Sequence, residues 1–173
     1  MQSLQFSASG ELEITASATS SKDDFDFLEG KWNIHNKKLR SRLNNSNEWL
    51  EFDATHEMRK VLRGIGNVEN FYATVEGNPY EGMGVRLFNP LTRLWSIHWS
   101  DSNLGVMEKP VVGFFDKNIG TFFGRDTFMK KEIIVQFTFD ATDPLKPIWS
   151  QAFSQDDGNT WEWNWYMYFS KNI

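Results

Sequence analysis

Cysteine is absent from this chain of 173 residues. Its absence excludes disulfides, thiol catalysis and thiolate metal ligands. The 3 histidines, His35, His56 and His98, have none of the short spacings that mark a metal site. We therefore predict no metal and no cofactor, and the alternative is a haem held by one inward-facing histidine.

Long apolar runs and an excess of positive charge are also missing. No segment approaches the roughly 18 consecutive apolar residues of a membrane span. The net charge is -5, whereas nucleic acids and anionic membranes favour basic surfaces, so neither is an expected partner. The first 22 residues have no basic segment followed by an apolar one, so we expect no secretory signal and a cytoplasmic location.

Aromatic residues, in contrast, are abundant. They make up 16% of the chain, with 8 Trp and 15 Phe, and strands favour such rings. After Gly30 the chain alternates strand-like segments with turn residues such as Asn89-Pro90 and Asp157-Gly158. The predicted strands span residues 30–40, 47–62, 67–76, 80–89, 93–101, 110–116, 120–128, 131–140, 146–154 and 160–170.

These segments predict an all-β fold. About ten antiparallel strands with short connections form an up-and-down meander, and closing the meander into a barrel protects its edges. A barrel of this strand number is wide enough to leave a cavity. We predict one antiparallel up-and-down β-barrel over residues 23–173, and a two-sheet sandwich is the alternative.

Residues 1–22 differ in composition and are rich in Ser, Ala and Thr. They predict a small hairpin around Ser9-Gly10, in a segment that is either a mobile tail or an arm packed on a neighbouring subunit. Ser21 and Asp24 have the spacing of a capping box. We therefore expect a short helical turn before the barrel.

The start of the barrel carries a family motif. Asp24 to Trp32 reads D-F-D-F-x-x-G-x-W, and its Gly30-Lys31-Trp32 resembles the G-x-W signature of lipocalins and other calycins. With Arg86-Leu87-Phe88-Asn89-Pro90 and the Trp149 to Trp165 hairpin, the chain resembles an uncharacterised bacterial family of lipocalin-like barrels. The resemblance implies the fold and a cavity that binds a small molecule, and it implies no reaction.

One turn has the pattern of an Asp-box. Ser154 to Trp161 fits S-x-D-x-G-x-T-W, in which Asp and Ser bond loop N–H groups and Gly takes a positive φ. The motif occurs once, in a chain too short for a propeller. We predict a turn brace and no glycosidase.

Candidate ligand contacts come from the strand faces. The Asn89-Pro90 hairpin predicts Arg86 opposite Trp95 and Gly82 opposite Trp99, so Arg86 lies among tryptophan rings and suits a ligand carboxylate. An internal pair with Glu51 or Asp53, or stacking on Trp, is the alternative. The polar rows of the second and last strands line the cavity if they face inward, and are solvated if they face outward. The candidate ligand-binding residues are Arg86, Trp95, Trp99, Glu51, Asp53, Asn164, Tyr166 and Glu162.

A basic cluster lies near the first turn of the barrel, at Lys37, Lys38, Arg40 and Arg42. No row of aromatic residues accompanies it, and the chain is acidic overall. We interpret this cluster as a solvated rim.

Three functional hypotheses follow. The first is a protein that binds a small apolar or aromatic molecule, with or without an anionic group, in the barrel. The second is an enzyme that transfers a proton on a hydrophobic substrate, with an acidic residue or Tyr as the base. The third is a structural module that forms a homodimer through an outward apolar face of Met83, Val85, Leu87 and Leu94.

Overall fold

The computed structural model describes residues 4–171. Two short 3₁₀ turns, Asp26–Leu28 and Leu62–Gly64, are the helical elements of this range, and no helix in it is long and apolar enough to cross a membrane. The strands are β1 (Gln5–Phe6), β2 (Leu12–Glu13), β3 (Gly30–Leu39), β4 (Trp49–Val61), β5 (Gly66–Val75), β6 (Asn78–Asn89), β7 (Leu94–Asp101), β8 (Val111–Asp116), β9 (Ile119–Phe128), β10 (Lys131–Asp140), β11 (Ile148–Ser154) and β12 (Glu162–Lys171).

Strands β3 to β12 form one closed antiparallel barrel in which every strand pairs with its sequence neighbours. The barrel closes where β12 pairs with β3, from Trp165 opposite Lys38 to Lys171 opposite Trp32. The predicted all-β, up-and-down barrel is therefore confirmed, and the sandwich alternative is wrong. No strand boundary differs from its predicted position by more than two residues.

The two-residue period of the strands decides which side chains enter the barrel. On β4, His56 and Met58 are buried inside, whereas Glu51 and Asp53 are exposed on the outer wall. On β6, Arg86 and Phe88 point inward. Met83, Val85 and Leu87 therefore form an apolar row on the outer wall, and the homodimer stays a prediction.

The segment before the barrel seals one end of it. The Phe25 ring lies 4.9 Å from the rings of Trp95 and Phe115 and 5.1 Å from that of Phe139, in edge-to-face contacts. Trp95 Nε1 also donates to the Ser21 carbonyl at 3.1 Å. Burial of rings is worth about 1.5–3 kcal/mol for each side chain, so this segment, residues 20–28, forms a stable apolar plug.

The predicted helical turn and hairpin are both present in the N-terminal segment. Asp24 Oδ2 accepts a bond from the Ser21 N–H at 2.9 Å, as a capping box does, ahead of the Asp26–Leu28 turn. β1 pairs with β2 around Gly10, and Arg125 Nη2 donates to the Gly10 carbonyl at 2.8 Å. The described part of this segment therefore lies on the barrel of its own chain.

The predicted register of the β6–β7 hairpin is wrong by two residues. The turn is longer than expected, since Asn89 pairs with Leu94 and not with Thr92. Arg93 has a φ of 58°, which closes this four-residue loop. A shift of two preserves the face of every side chain. The observed pairs are Arg86 with Ile97, Phe88 with Trp95 and Gly84 with Trp99.

The Asp-box is a turn brace, as predicted. Asp156 Oδ1 accepts the Thr160 N–H at 2.8 Å, and its Oδ2 accepts the Thr160 hydroxyl at 2.7 Å. The Ser154 hydroxyl donates to Asp156 at 2.8 Å, and Gly158 has a φ of 85°. These bonds fix the turn between β11 and β12.

Candidate functional site

The barrel encloses a cavity of about 360 Å³. This volume lies at the small end of the range for ligand pockets, roughly 300–1,000 Å³. It reaches from the Phe139 ring, which contacts Phe25 of the plug, to the opposite rim, where Arg42, Leu104 and Glu108 line it. Its walls include rings from Phe71, Trp99, Phe137, Phe139, Trp149 and Trp165.

A buried polar cluster lies at the closed end of the cavity. Arg86 Nη2 donates to Glu69 Oε2 at 2.5 Å, and Arg86 Nη1 donates to Asn67 Oδ1 at 3.0 Å. His56 Nε2 lies 2.6 Å from the same Glu69 oxygen. Burial alone would raise the pKa of Glu69, but Arg86 and His56 lower it to about 2. Glu69 therefore remains ionised and neutralises Arg86 inside the protein.

Two glycines of β6 make room for this arrangement. A Cβ atom at Gly84 would lie 2.4 Å from Glu69 Oε1, and one at Gly82 would lie 2.1 Å from the Trp99 ring. Both distances are far below van der Waals contact. The glycines therefore let a carboxylate and an indole lie flat against the strand that carries Arg86.

Two of the cations that line the cavity lie over its aromatic rings. Lys38 points inward from β3, and its Nζ lies 3.8 Å from the centre of the Trp165 ring. Arg42 Cζ lies 5.2 Å from the ring centre of Phe128 and 5.3 Å from that of Phe153. Among residues 4–171, neither cation has a carboxylate oxygen within 4.0 Å.

The surroundings of Lys38 and Arg42 lower the pKa values of both side chains. Burial, with a smaller contribution from the nearby Arg42 charge, lowers the pKa of Lys38 to about 8. Burial also lowers the pKa of Arg42, which stays charged. Desolvated cations without a counter-ion are costly. An anion that enters the cavity would relieve that cost.

Acidic and phenolic groups occupy the other side of the mouth. The Tyr80 hydroxyl donates to Asp101 Oδ2 at 3.1 Å, and burial together with Asp101 raises the pKa of Tyr80. The pKa of Glu108 is raised, first by partial loss of its hydration and then by Asp126 and Asp101. Positive and negative groups therefore face each other across one opening.

The structure separates the predicted ligand-binding residues. Arg86 and Trp99 line the cavity, whereas Trp95 packs against Phe25 of the plug. Glu51 and Asp53 lie outside the barrel, 3.4 Å and 3.0 Å from the ring nitrogens of His35. Their outward position follows from the strand period, and it removes both from the cavity. The alternative pairing of Arg86 with Glu51 or Asp53 is therefore wrong, and Glu69 is its internal partner.

The three candidates on β12 have different positions. Both Glu162 carboxylate oxygens accept the Leu43 N–H at 2.8 Å, which holds the loop that carries Arg42. Asn164 is buried at a bulge and accepts a bond from Gln151 Nε2 at 2.8 Å. Tyr166 lies on the outer wall and stacks with Tyr168. Glu162 and Asn164 thus support the cavity wall without lining the cavity.

Lys38, Arg42 and Glu69 are among the cavity residues that the sequence did not reveal. The interpretation of Lys38 and Arg42 as a solvated rim is wrong, since both line the cavity. The strand period of β3 indicates the position of Lys38, because Lys38 follows Trp32, Ile34 and Asn36 on the same face. The pairing of Glu69 with Gly84, which has no side chain, indicates the position of Glu69 in a similar way.

A closed antiparallel barrel around such a cavity is a lipocalin-like fold, here with ten strands. Among solved structures, the chain is similar to the S-type phycobiliprotein lyase CPES from Guillardia theta, with a TM-score of 0.59 and 10% sequence identity. The similarity covers 90% of this chain and 94% of the lyase. Scans against protein-family models and against curated proteins find no match. At this identity the likeness shows the fold alone.

Proposed function

We propose that this protein binds a small anionic molecule with an aromatic or apolar body inside its barrel. The observation that carries the proposal is the pair of half-buried cations, Lys38 and Arg42, which lie over aromatic rings of the cavity and have no described carboxylate oxygen within 4.0 Å. A carboxylate, sulfonate or phosphate placed between them would form charge-assisted hydrogen bonds. These two residues take the role that the sequence suggested for Arg86.

The rest of the cavity suits the body of such a ligand. Trp149, Trp165 and Phe137 offer ring faces and edges for stacking. The charge of Arg86 is already neutralised by Glu69. The pair therefore forms a polar surface at the closed end of the cavity and adds no net charge. A ligand with one acidic end and one planar apolar end matches both regions.

The likeness to a phycobiliprotein lyase supports this proposal at the level of the fold. It is consistent with a barrel that receives a small molecule. The ligand class rests on the residues of this chain, since 10% identity transfers no ligand contacts.

A fluorescent aromatic anion tests the proposal directly. We expect 8-anilinonaphthalene-1-sulfonate to bind with one site per chain and to quench emission from Trp149 and Trp165. The double variant Lys38→Met/Arg42→Gln is expected to raise the Kd about 10-fold or more, the effect of losing a hydrogen bond to a charged group.

The matched control is Lys37→Met. Lys37 lies next to Lys38 but on the outer wall, with its Nζ 5.1 Å from the centre of the Trp49 ring. This variant should leave the Kd unchanged. An equal loss in both variants, or no loss in the double variant, would overturn the proposal.

A further inference from the structure

We infer that Lys38 is a carbonyl-reactive amine that forms an imine with an aldehyde or ketone held in the cavity. This inference rests on the proposed function, because the same cavity receives the ligand. It adds a covalent step and a chemical class, an apolar or aromatic carbonyl compound.

Lys38 is an amine that a ligand in the cavity can reach. Its Nζ lies inside the cavity, 3.8 Å from the centre of the Trp165 ring, and among the described residues no carboxylate oxygen lies within 4.0 Å of it. Lys171 provides the contrast. Its Nζ lies 3.9 Å from the Trp32 ring, but it donates to the Glu29 carbonyl at 3.0 Å outside the cavity.

Burial makes this amine available near neutral pH. The pKa of Lys38 is lowered to about 8 from the ordinary 10.5. At pH 7 the neutral fraction is then about 300-fold larger than that of an ordinary lysine. Neutral amine is the nucleophile in carbonyl addition, so the cavity raises the reactive fraction of this one lysine.

The reaction needs only groups that line the cavity mouth. The Nζ lone pair attacks the carbonyl carbon, the C=O π pair moves to oxygen, and a proton passes from nitrogen to that oxygen to give a carbinolamine. Protonation of the hydroxyl and its loss as water, with the nitrogen lone pair forming C=N, gives the iminium ion. Return of its N–H proton to the acid that protonated the hydroxyl yields the imine. No oxidant or reductant takes part in forming it.

Two neighbours of Lys38 suit the proton and charge movements. The Arg42 guanidinium stabilises negative charge on the former carbonyl oxygen. The Glu108 carboxyl, with its raised pKa, supplies the proton to the departing hydroxyl and lies within electrostatic range of Lys38. Both residues line the same cavity as Lys38.

Reductive trapping tests the inference on the full chain. The protein is incubated with cinnamaldehyde and sodium cyanoborohydride across a pH series, and the adduct is located by peptide mass spectrometry. We expect Lys38 to be labelled at least about 10-fold faster than Lys37, with a rate that rises with pH and levels off above about 8. Equal labelling of the two lysines would overturn the inference.

Two variants test whether Lys38, and not the neighbouring Lys37, forms the adduct. Lys38→Arg keeps the positive charge and should abolish the fast adduct, whereas Lys37→Arg should keep it. Circular dichroism of both variants checks the fold. Loss of the adduct in Lys37→Arg, or its persistence in Lys38→Arg, would contradict the assignment.

The sulfonate probe separates this inference from the proposed function. If wild type binds the probe at the cavity and Lys38 is not preferentially labelled, imine formation is wrong and anion binding stands. If Lys38 is labelled while the probe does not bind, the carbonyl chemistry stands and the anionic ligand is wrong. If neither occurs, both proposals fail.

Discussion

Lys38 and Trp165 lie directly opposite each other across the seam where β3 and β12 close the barrel. Lys38 Nζ lies 3.8 Å from the centre of the Trp165 ring, and the indole N–H of Trp165 donates to Asn36 Oδ1 at 3.0 Å. The Trp165 ring thus contacts the Lys38 amine and also hydrogen-bonds the buried Asn36 amide oxygen. The β3–β12 pair that closes the barrel therefore also forms a wall of the candidate site.

Replacement of this ring by a smaller one tests its double role. Trp165→Phe removes the only hydrogen-bond donor to Asn36 Oδ1 found among residues 4–171, while the Asn36 Nδ2 group already lacks a partner. Leaving a buried polar group unsatisfied costs about 1–3 kcal/mol. Urea unfolding should show this loss of stability. Trp163→Phe, at a half-buried ring, should cost less, and equal losses would contradict the role of the Asn36 bond.

The buried Glu69 carboxylate should control stability in acid. Because Glu69 has a folded-state pKa of about 2 against an ordinary 4.5, its contribution is full above pH 4.5 and is lost as the pH falls toward 2. Glu69→Gln should destabilise the protein by about 3–5 kcal/mol at pH 7, since Arg86 is left without its counter-charge.

The same variant should flatten the acid limb of the stability profile. Urea unfolding between pH 2 and pH 7 measures both effects. Glu57→Gln, at an exposed carboxylate 3.9 Å from Lys31 Nζ, is the control and should change stability little. A Glu69→Gln protein with wild-type acid sensitivity would contradict the assignment.

Gly84 should tolerate no side chain while Glu69 is present. Gly84→Ala places a Cβ atom 2.4 Å from Glu69 Oε1, and overpacking of this kind costs about 1–3 kcal/mol. The clash disappears when Glu69 is shortened to alanine. Unfolding free energies of the two single variants and the double variant should therefore be non-additive, with Gly84→Ala milder in the Glu69→Ala background. Additive losses would rule out the contact.

Glu162 should order the loop that carries Arg42. Both of its carboxylate oxygens lie 2.8 Å from the Leu43 amide nitrogen. Glu162→Ala should accelerate hydrogen exchange of the Leu43 amide about 10-fold or more, the effect of losing a charged hydrogen bond. Glu48→Ala, at an exposed side chain beside the same loop, is the control. Unchanged exchange at Leu43 would contradict the contact.

Several features of the candidate site were predictable from local sequence alone. Arg86, Phe88 and Trp99 share a face in both the predicted and the observed register, because a slip of two residues preserves the strand period. The length of the Asn89–Leu94 turn was not predictable, since it depends on the positive φ of Arg93, a residue type that rarely takes that conformation. That one angle accounts for the wrong cross-strand pairs.

The polar rows were harder to assign, because rings occur on both faces of several strands. Tyr166 and Tyr168 stack with each other on the outside, while Trp165 and Met167 are buried inside. Hydrophobicity therefore could not distinguish the two sides of β12. The bulge near Asn164 further interrupts the alternation.

Local sequence determined the strands, their order and the places of the turns between them, because the two-residue period and the Gly, Asn and Pro residues of the turns act over a few neighbouring positions. Only the tertiary structure decided that Lys38 faces Trp165, that Glu69 neutralises Arg86, and that an aromatic plug closes one end. These contacts join segments that are distant in the sequence. They form because closure of the barrel fixes which face of every strand points inward, and closure depends on all the strands together.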